Sequence, residues 1–284
     1  MSESPIDKER ARKAFSRSAN SYDEAAVLQR EVSARMLQRL DLVTLKPNNI
    51  LDLGCGTGHQ TQQLLQRYPR ARVHALDFAL PMLDHARKKG RWLRRPACIC
   101  GDMEHLPLAD DSMDLICSSL AFQWASDPQR LYQECLRVLR PEGLLMFTTF
   151  GPDTLYELRL AWAGVDSHAH VSPFMDMHDL GDILVNSGYA APVMDVERIV
   201  LTYAEVDDLM QDLKSIGANN ASSQRSRGLT GKARMQAMRD AYERFRRDQL
   251  LPATYEVVYG HAWAPENKHV SVSVDALIHS RKSG

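Results

Sequence analysis

The segment Leu51-Asp52-Leu53-Gly54-Cys55-Gly56-Thr57-Gly58 constrains the fold of this chain more than any other. A short apolar stretch from Ile50 to Leu53 runs straight into three glycines at alternating positions, and a helical pattern from Gln60 to Arg67 follows. Strand, glycine turn and helix in that order describe the carboxyl edge of a parallel sheet, where open α/β sheets bind their ligands. A plain strand-to-helix turn rarely needs three glycines, so the spacing points to backbone that approaches a ligand. A dinucleotide is disfavoured: counting G-x-G-x-x-G from Gly54 puts His59 in sixth place, with the third glycine one position early at Gly58.

The same rhythm continues downstream. Strands are expected at Val73–Leu76, Ala97–Cys100, Leu115–Ser118 and Leu144–Phe150, with helices at Leu80–Lys89 and Pro128–Leu139 between them. Repeated strand–helix units imply a right-handed, mainly parallel sheet. Before them, Ile6 to Leu42 reads as two short helices. After Phe150 come helical patterns at Thr154–Ala163 and Asp176–Ser187, read as an inserted cap. A strand at Val193–Leu201, helices at Ala204–Ile216 and Lys232–Asp248, and a strand at Tyr255–Ala262 complete the order, the late strands suiting an antiparallel edge. Residues 268–284 read as a loosely held strand and tail. The chain thus divides into N-terminal helices (1–45), a ligand-binding core (46–150), a cap with a returning strand (151–235) and a closing helix, strand and tail (236–284).

Composition narrows the function classes. In 284 residues, 35 basic and 36 acidic side chains leave a formal charge of -1, so no global field favours nucleic acid. The longest apolar runs, such as 143–150, fall far short of the roughly 20 residues a membrane-spanning helix needs. Five cysteines with no paired CxxC spacing, and an N-terminus without an apolar secretion segment, lead to the expectation of a cytoplasmic protein with structural thiols. His168, His170 and His178 cluster in the cap, but with no matching carboxylate set they read as polar cap residues and no metal is expected.

Two carboxylates stand at strand ends. Asp77, 19 residues past Gly58, can accept both hydroxyls of a ribose, although an Asp there can also cap a helix. Asp102, in Gly101-Asp102-Met103-Glu104, is placed to accept a hydrogen bond from an adenine amino group, with Phe78 and Met103 packing on the ring.

These residues resemble the class I S-adenosylmethionine-dependent methyltransferases over Ile50 to Phe150, through LDLGCGTG, ALDFALPML, GDMEHLPL and Met113-Asp114-Leu115. The resemblance implies a Rossmann-like fold with a mainly parallel seven-stranded sheet and S-adenosyl-L-methionine as cofactor. It places Gly54 and Gly56 beside the methionine portion, Asp77 on ribose, and Asp102 with Met103 on adenine. Asp52, Phe78, Met82 and Ser119 complete the implied set. Ser118-Ser119-Leu120-Ala121-Phe122-Gln123-Trp124 stands where DNA amino-methyltransferases carry an Asn/Asp-Pro-Pro-aromatic motif, which disfavours that branch.

The flanking segments are similar to a narrower family. Residues 15–23 (FSRSANSYD), Leu28-Gln29-Arg30, AFQW at 121–124, FTTFGPDTLYEL at 147–158, residues 214–219 and Ala253-Thr254-Tyr255 look like the malonyl-acyl-carrier-protein O-methyltransferases of biotin synthesis. GPDTLYELR and HVSPF at 170–174 also resemble a complex I assembly factor described as an arginine hydroxylase, the rival reading. The first resemblance implies methylation of the free carboxyl of a malonyl group on acyl carrier protein or coenzyme A. A carboxylate nucleophile is already ionised, so no general base is required. Tyr22 and Gln123 are candidates for orienting the acceptor, and Gln29 for the acceptor or the methionine end of the cofactor. Lys214 and Arg159 are candidates for holding the malonyl carboxylate. The basic runs Lys88, Lys89, Arg91, Arg94, Arg95 and Arg239, Arg244, Arg246, Arg247 are candidates for docking an acidic carrier protein, against the alternative of solvated faces.

Overall fold

A computed structural model describes residues 6–91, 94–218 and 231–268. Seven strands form one sheet: β1 (Asn49–Leu53), β2 (Arg72–Asp77), β3 (Ala97–Cys100), β4 (Met113–Ser119), β5 (Leu139–Phe150), β6 (Ala190–Tyr203) and β7 (Leu251–Trp263). Their spatial order is β3-β2-β1-β4-β5-β7-β6, and the pairs among β1 to β5 are parallel. Only β7 runs against its neighbours, pairing antiparallel with both β5 and β6. The chain winds outward from β1 through β2 to β3, then returns to the other side of β1 at β4. That reversal opens a crevice beyond the carboxyl ends of β1 and β4, where side chains and glycine turns can converge on a ligand.

Burial on both faces explains the apolar strand at the centre: Ile50, Leu51 and Leu53 of β1 are fully enclosed. Helices α4 (His59–Arg67), α5 (Leu80–Ala86) and α6 (Pro128–Val138) make the crossovers. Asp127 starts α6 as an N-cap, its side chain accepting the Arg130 N–H, with Pro128 in the first turn where no N–H is needed.

The N-terminal region forms α1 (Lys8–Ser18), α2 (Tyr22–Ala25) and α3 (Val27–Arg39), three helices where two were expected. The short α2 begins directly after the turn at residues 19–21, and Ala26 at its end leaves helical backbone. Beyond β5 lie α7 (Tyr156–Ala163), α8 (Met177–Asn186), α9 (Val206–Ser215) and α10 (Lys232–Tyr242). α10 is shorter than the pattern suggested, because the chain tightens into a 3-10 turn at Glu243–Phe245 before the β7 hairpin. Strands β5, β6 and β7 outrun their apolar cores. β5 reaches back to Leu139 across an irregularity at residues 140–143, where the register with β4 shifts, and paired backbone carries β7 through Pro252, positions at which side-chain pattern signals a turn. Much of the expected loop 217–228, and the tail after 268, lie outside the described residues.

Gly260 of β7 sits opposite Phe147 of β5. Phe147 packs against Phe122, with centroids 5.2 Å apart, and against Tyr132 at 5.4 Å. A side chain at Gly260 would overlap the Phe147 ring and press on the Met194 sulfur. We predict that Gly260→Ala lowers stability by about 1–3 kcal/mol, read as a lower urea midpoint; an unchanged midpoint contradicts this packing.

Candidate active site

Asp77, at the end of β2, is 6% exposed and ties two loops together. One carboxylate oxygen accepts the Gly56 N–H at 2.9 Å, and the other accepts the Ala79 N–H at 2.8 Å, just ahead of α5. It therefore serves the cap-like role weighed for it while also lining the pocket with Gly56, Phe78 and Met82. Burial pushes its carboxyl up to about 6, against the pull of these backbone donors. Asp52, on β1, is buried behind the loop and accepts from Gln60 at 3.0 Å and from Thr61. Burial, opposed by those bonds and reinforced by the charge of Asp77, pushes it to about 7. Asp52 thus anchors the start of α4 to β1.

The three glycines divide their duties. Gly54 and Gly58 have φ of +72° and +85°, and a side chain at either would collide with the protein itself, at Ala121 and Ala86 respectively. Gly56, φ +53°, is the one whose missing side chain leaves open space, with only the Tyr22 ring at 4.0 Å. Gly54 and Gly56 both line the pocket with backbone, and Gly56 is the one whose missing side chain leaves open space.

Helices α1 and α2 lie over this pocket, pinned at several strand ends. Lys8 reaches Asp102 at 2.7 Å and Glu104 at 2.7 Å. Asn20 meets His85 of α5 at 3.1 Å, and Asp23 accepts from Thr57 in the glycine loop while pairing with Lys89 at 3.4 Å. Phe15 stands edge-on to Trp124 at 5.1 Å and is tilted against Phe78 at 6.0 Å. Asp102 stands at the pocket wall as expected, but Lys8 and the Glu104 N–H occupy its oxygens. Burial raises its carboxyl less than Lys8 and Glu104 lower it, so it stays ionised.

A second chamber opens beyond Tyr22, Phe15, Leu120 and Trp124, which line both spaces. Its far wall comes from Phe150, Leu158, His170, Phe174, Tyr203 and Tyr255. Two of its leucines, Leu120 and Leu155, hold left-handed backbone at φ +49° and +54°. Each is fixed by its N–H, Leu120 to Thr148 and Leu155 to Thr254. Such non-glycine positions cost about 1–3 kcal/mol and persist where surrounding structure over-determines them, a feature of functional sites.

Tyr22 is the junction residue, lining both chambers and the space above Asp52, Gly56 and Ser119. Burial, with Asp77 and then Asp23 nearby, pushes its phenol well above the ordinary range, so it remains an O–H donor. Gln29 faces the acceptor chamber and the Asp52 side together. Gln123 lines the acceptor chamber with its amide held, Nε2 donating to Leu120 O at 2.7 Å. Met103 lines the cofactor-side pocket with Phe78 and Met82, and Ser119 sits between that pocket and the Asp52 side.

Lys214 and Arg159 are not brought to this chamber. Lys214 lines a separate groove with Arg10, Lys13 and Arg17 of α1. The Arg159 guanidinium turns back to the carbonyls of Pro152 and Thr154. Three contributors escaped the sequence reading: Lys8, Arg30, which lines the space near Asp23 and Thr57, and His170. Charges on amphipathic helices carry no local signal of what they meet across the fold. Among the described residues no group of three or more His, Cys, Asp or Glu side chains is arranged to hold a metal ion, and no helix is long and apolar enough to cross a membrane.

A family described as "Methyltransferase domain" matches residues 51–147. A Laribacter hongkongensis protein named malonyl-[acyl-carrier protein] O-methyltransferase is 55% identical over 267 residues, covering 91% of this chain and 90% of that protein. A protein of the same name from Gallionella capsiferriformans is 51% identical, covering 93% of each chain. Among solved structures, a methyltransferase candidate from Bacillus halodurans shares the fold with a TM-score of 0.58 and 17% identity, over 82% of this chain and 98% of its own. The YcgJ protein from Bacillus subtilis does so with a TM-score of 0.57 and 15% identity, over 84% and 99%.

Two predictions follow from the Asp77 geometry. Gly56→Val should abolish binding of S-adenosylhomocysteine in calorimetry while the fold is retained; wild-type affinity contradicts the pocket. Ribose hydroxyls donate to the ionised carboxylate and favour it. Affinity should therefore be full above pH 7 and fall as pH drops through about 6, where the free carboxyl takes up its proton. Asp77→Asn should bind weakly with that limb flattened, and an unaltered pH profile in this variant contradicts the assignment.

Proposed function

We propose, for this chain, which belongs to the malonyl-[acyl-carrier protein] O-methyltransferase family, that it esterifies the free carboxyl of a malonyl group carried on acyl carrier protein. The observation that carries the reading is the meeting of two chambers at Tyr22, one built around a buried strand-end carboxylate and one largely apolar. The residues fit S-adenosylmethionine: buried Asp77 offers lone pairs beyond those taken by Gly56 and Ala79, Gly56 leaves open space, and Phe78, Met103 and Asp102 suit an adenine. When bound, that cofactor supplies a methyl group activated on a sulfonium centre.

The chain's own residues supply position and dryness. In-line transfer needs reacting atoms about 3 Å apart and aligned, a placement that alone is worth many kcal/mol. Phe15, Trp124 and Leu120 form the partition between the chambers and exclude water there. Tyr22, kept protonated, donates to one acceptor oxygen and leaves the other free as nucleophile. Gln123 contributes a wall of fixed orientation, because Leu120 O and Thr149 hold its amide. No proton has to be removed, since the acceptor is already a carboxylate.

Esterification removes one negative charge from the acyl end. A chain-elongating enzyme that buries apolar acyl ends pays several kcal/mol for a bare carboxylate and little for a methyl ester. The product therefore suits priming of pimeloyl synthesis for biotin, and a carrier-protein substrate fits a cytoplasmic reaction, with malonyl coenzyme A as an alternative methyl acceptor.

Labelled methyl transfer to malonyl carrier protein, with acetyl carrier protein as the comparison, tests the reading. Transfer to malonyl alone is expected, and transfer to neither or to both alike contradicts it. In the same assay Tyr22→Phe should lower turnover about 100-fold, the scale for losing one preorganised donor, with S-adenosylhomocysteine affinity within twofold of wild type. Turnover within twofold would remove Tyr22 from the acceptor site.

A further inference from the structure

We propose that His170 is the group that receives the free carboxylate of the acceptor, and that Asp166 is the residue that positions it. This rests on the carboxyl-methylation reading above and names the part of the site that would select a carboxylate.

Among the described residues lining the acceptor chamber, His170 is the one basic side chain and Asp212 the one acidic side chain. The negative charge of Asp212 is engaged by the Tyr203 hydroxyl. An anionic acceptor entering this apolar space needs a compensating donor, because an unpaired buried carboxylate is costly. Lys214 and Arg159, the cations expected from sequence, stand elsewhere. His170 is therefore the basic group in place to provide it.

Its setting is built. The His170 ring stacks on Trp162 with centroids 3.6 Å apart and planes 5° from parallel. Its Nε2 lies 2.8 Å from Asp166 Oδ1, with both side chains largely buried. The same Asp166 oxygen accepts the His168 N–H at 3.0 Å, and Arg234 of α10 stands 3.5 Å from the other oxygen. Burial raises the Asp166 carboxyl, but the His168 N–H and then His170 outweigh it and keep it ionised. Nε2 is committed to Asp166, while no hydrogen bond ties Nδ1 to a described residue. A carboxylate behind the ring and an indole beneath it fix its orientation.

The charges balance without a further reactant. The ring, donating from Nε2 to Asp166, takes up a proton from solvent together with the anionic acceptor and donates from Nδ1 to the carboxylate oxygen that Tyr22 also holds, leaving the other oxygen as the nucleophile. Methyl transfer converts that carboxylate to a neutral ester, the partner for the imidazolium is lost, and the proton returns to solvent. Around the His170–Asp166 pair stand His168 and, 3.5 Å from Asp166, Arg234 of α10, while Asp212 of α9 lines the same chamber. An acetyl group, with no carboxylate, gains nothing from His170.

Calorimetric titration of malonyl and acetyl carrier protein into the S-adenosylhomocysteine-loaded protein tests this without turnover. Wild type should prefer malonyl by about tenfold or more, on the scale of one hydrogen bond to a charged group. His170→Phe should lower that preference about tenfold, with S-adenosylhomocysteine affinity retained, and Asp166→Asn should lose part of the preference with His170 still present. A malonyl preference that survives both substitutions overturns the assignment of His170 alone. Loss of S-adenosylhomocysteine affinity in both variants marks a structural role and also overturns it. A wild-type protein that binds both carriers equally overturns the carboxylate reading itself, and His170 with it.

Discussion

The buried carboxylate of Asp77 accepts N–H groups from two crossover loops, Gly56 after β1 and Ala79 after β2, and this pair of bonds fixes the edge on which the site is built. A buried carboxylate is tolerable only with its lone pairs met, and backbone donors meet some of them here. Those that remain face the pocket, so the same charge that orders the loops is available to a ligand. Asp52, one strand over, does the complementary work from behind by holding Gln60 and Thr61 at the start of α4.

Over this edge lie α1 and α2, held by ion pairs and polar contacts at the rim and by aromatic rings at the centre. Exposed ion pairs contribute little each, but Lys8 is shared between two carboxylates, one of them on the largely buried Glu104. Phe15, Phe78 and Trp124 then close the space with apolar surface. The helices thus shape the pocket around Asp77 and separate it from the second chamber, with Phe15 and Tyr22 lining both and Tyr22 also reaching the space above Asp52.

The parallel core and its ligand edge were legible because they are local. Glycines at alternating positions, Asp77 at the end of an apolar run and Asp102 after the next are each read from the few residues beside them. Tyr22 and Gln123 were reached through resemblance rather than spacing, and both line the acceptor chamber. What sequence could not show was produced by distant contacts. Gly58 looks like a ligand-facing glycine until Ala86 is seen against it, and Gly54 lines the pocket while Ala121 fills the space a side chain there would take. Lys214 and Arg159 have the charge for a malonyl carboxylate, but helix direction sends one to an outer groove and the other to backbone carbonyls. His170 read as a polar cap residue, since neither Trp162 beneath its ring nor Asp166 behind it announces itself in a linear pattern. Lys8 was hidden in the same way, 94 residues from its partner Asp102.

Taken together, the described residues present a pocket organised by a strand-end carboxylate and a second, largely apolar chamber with a protonated phenol at its mouth. That combination suits a nucleophile that arrives ionised. The most direct test of this account is fragment mass spectrometry of the carrier-bound acyl group after incubation with S-adenosylmethionine, which locates the added methyl. The account predicts a methyl ester on the distal carboxyl of the malonyl group. A methyl group on carbon, on the carrier polypeptide, or nowhere on the acyl chain would contradict it.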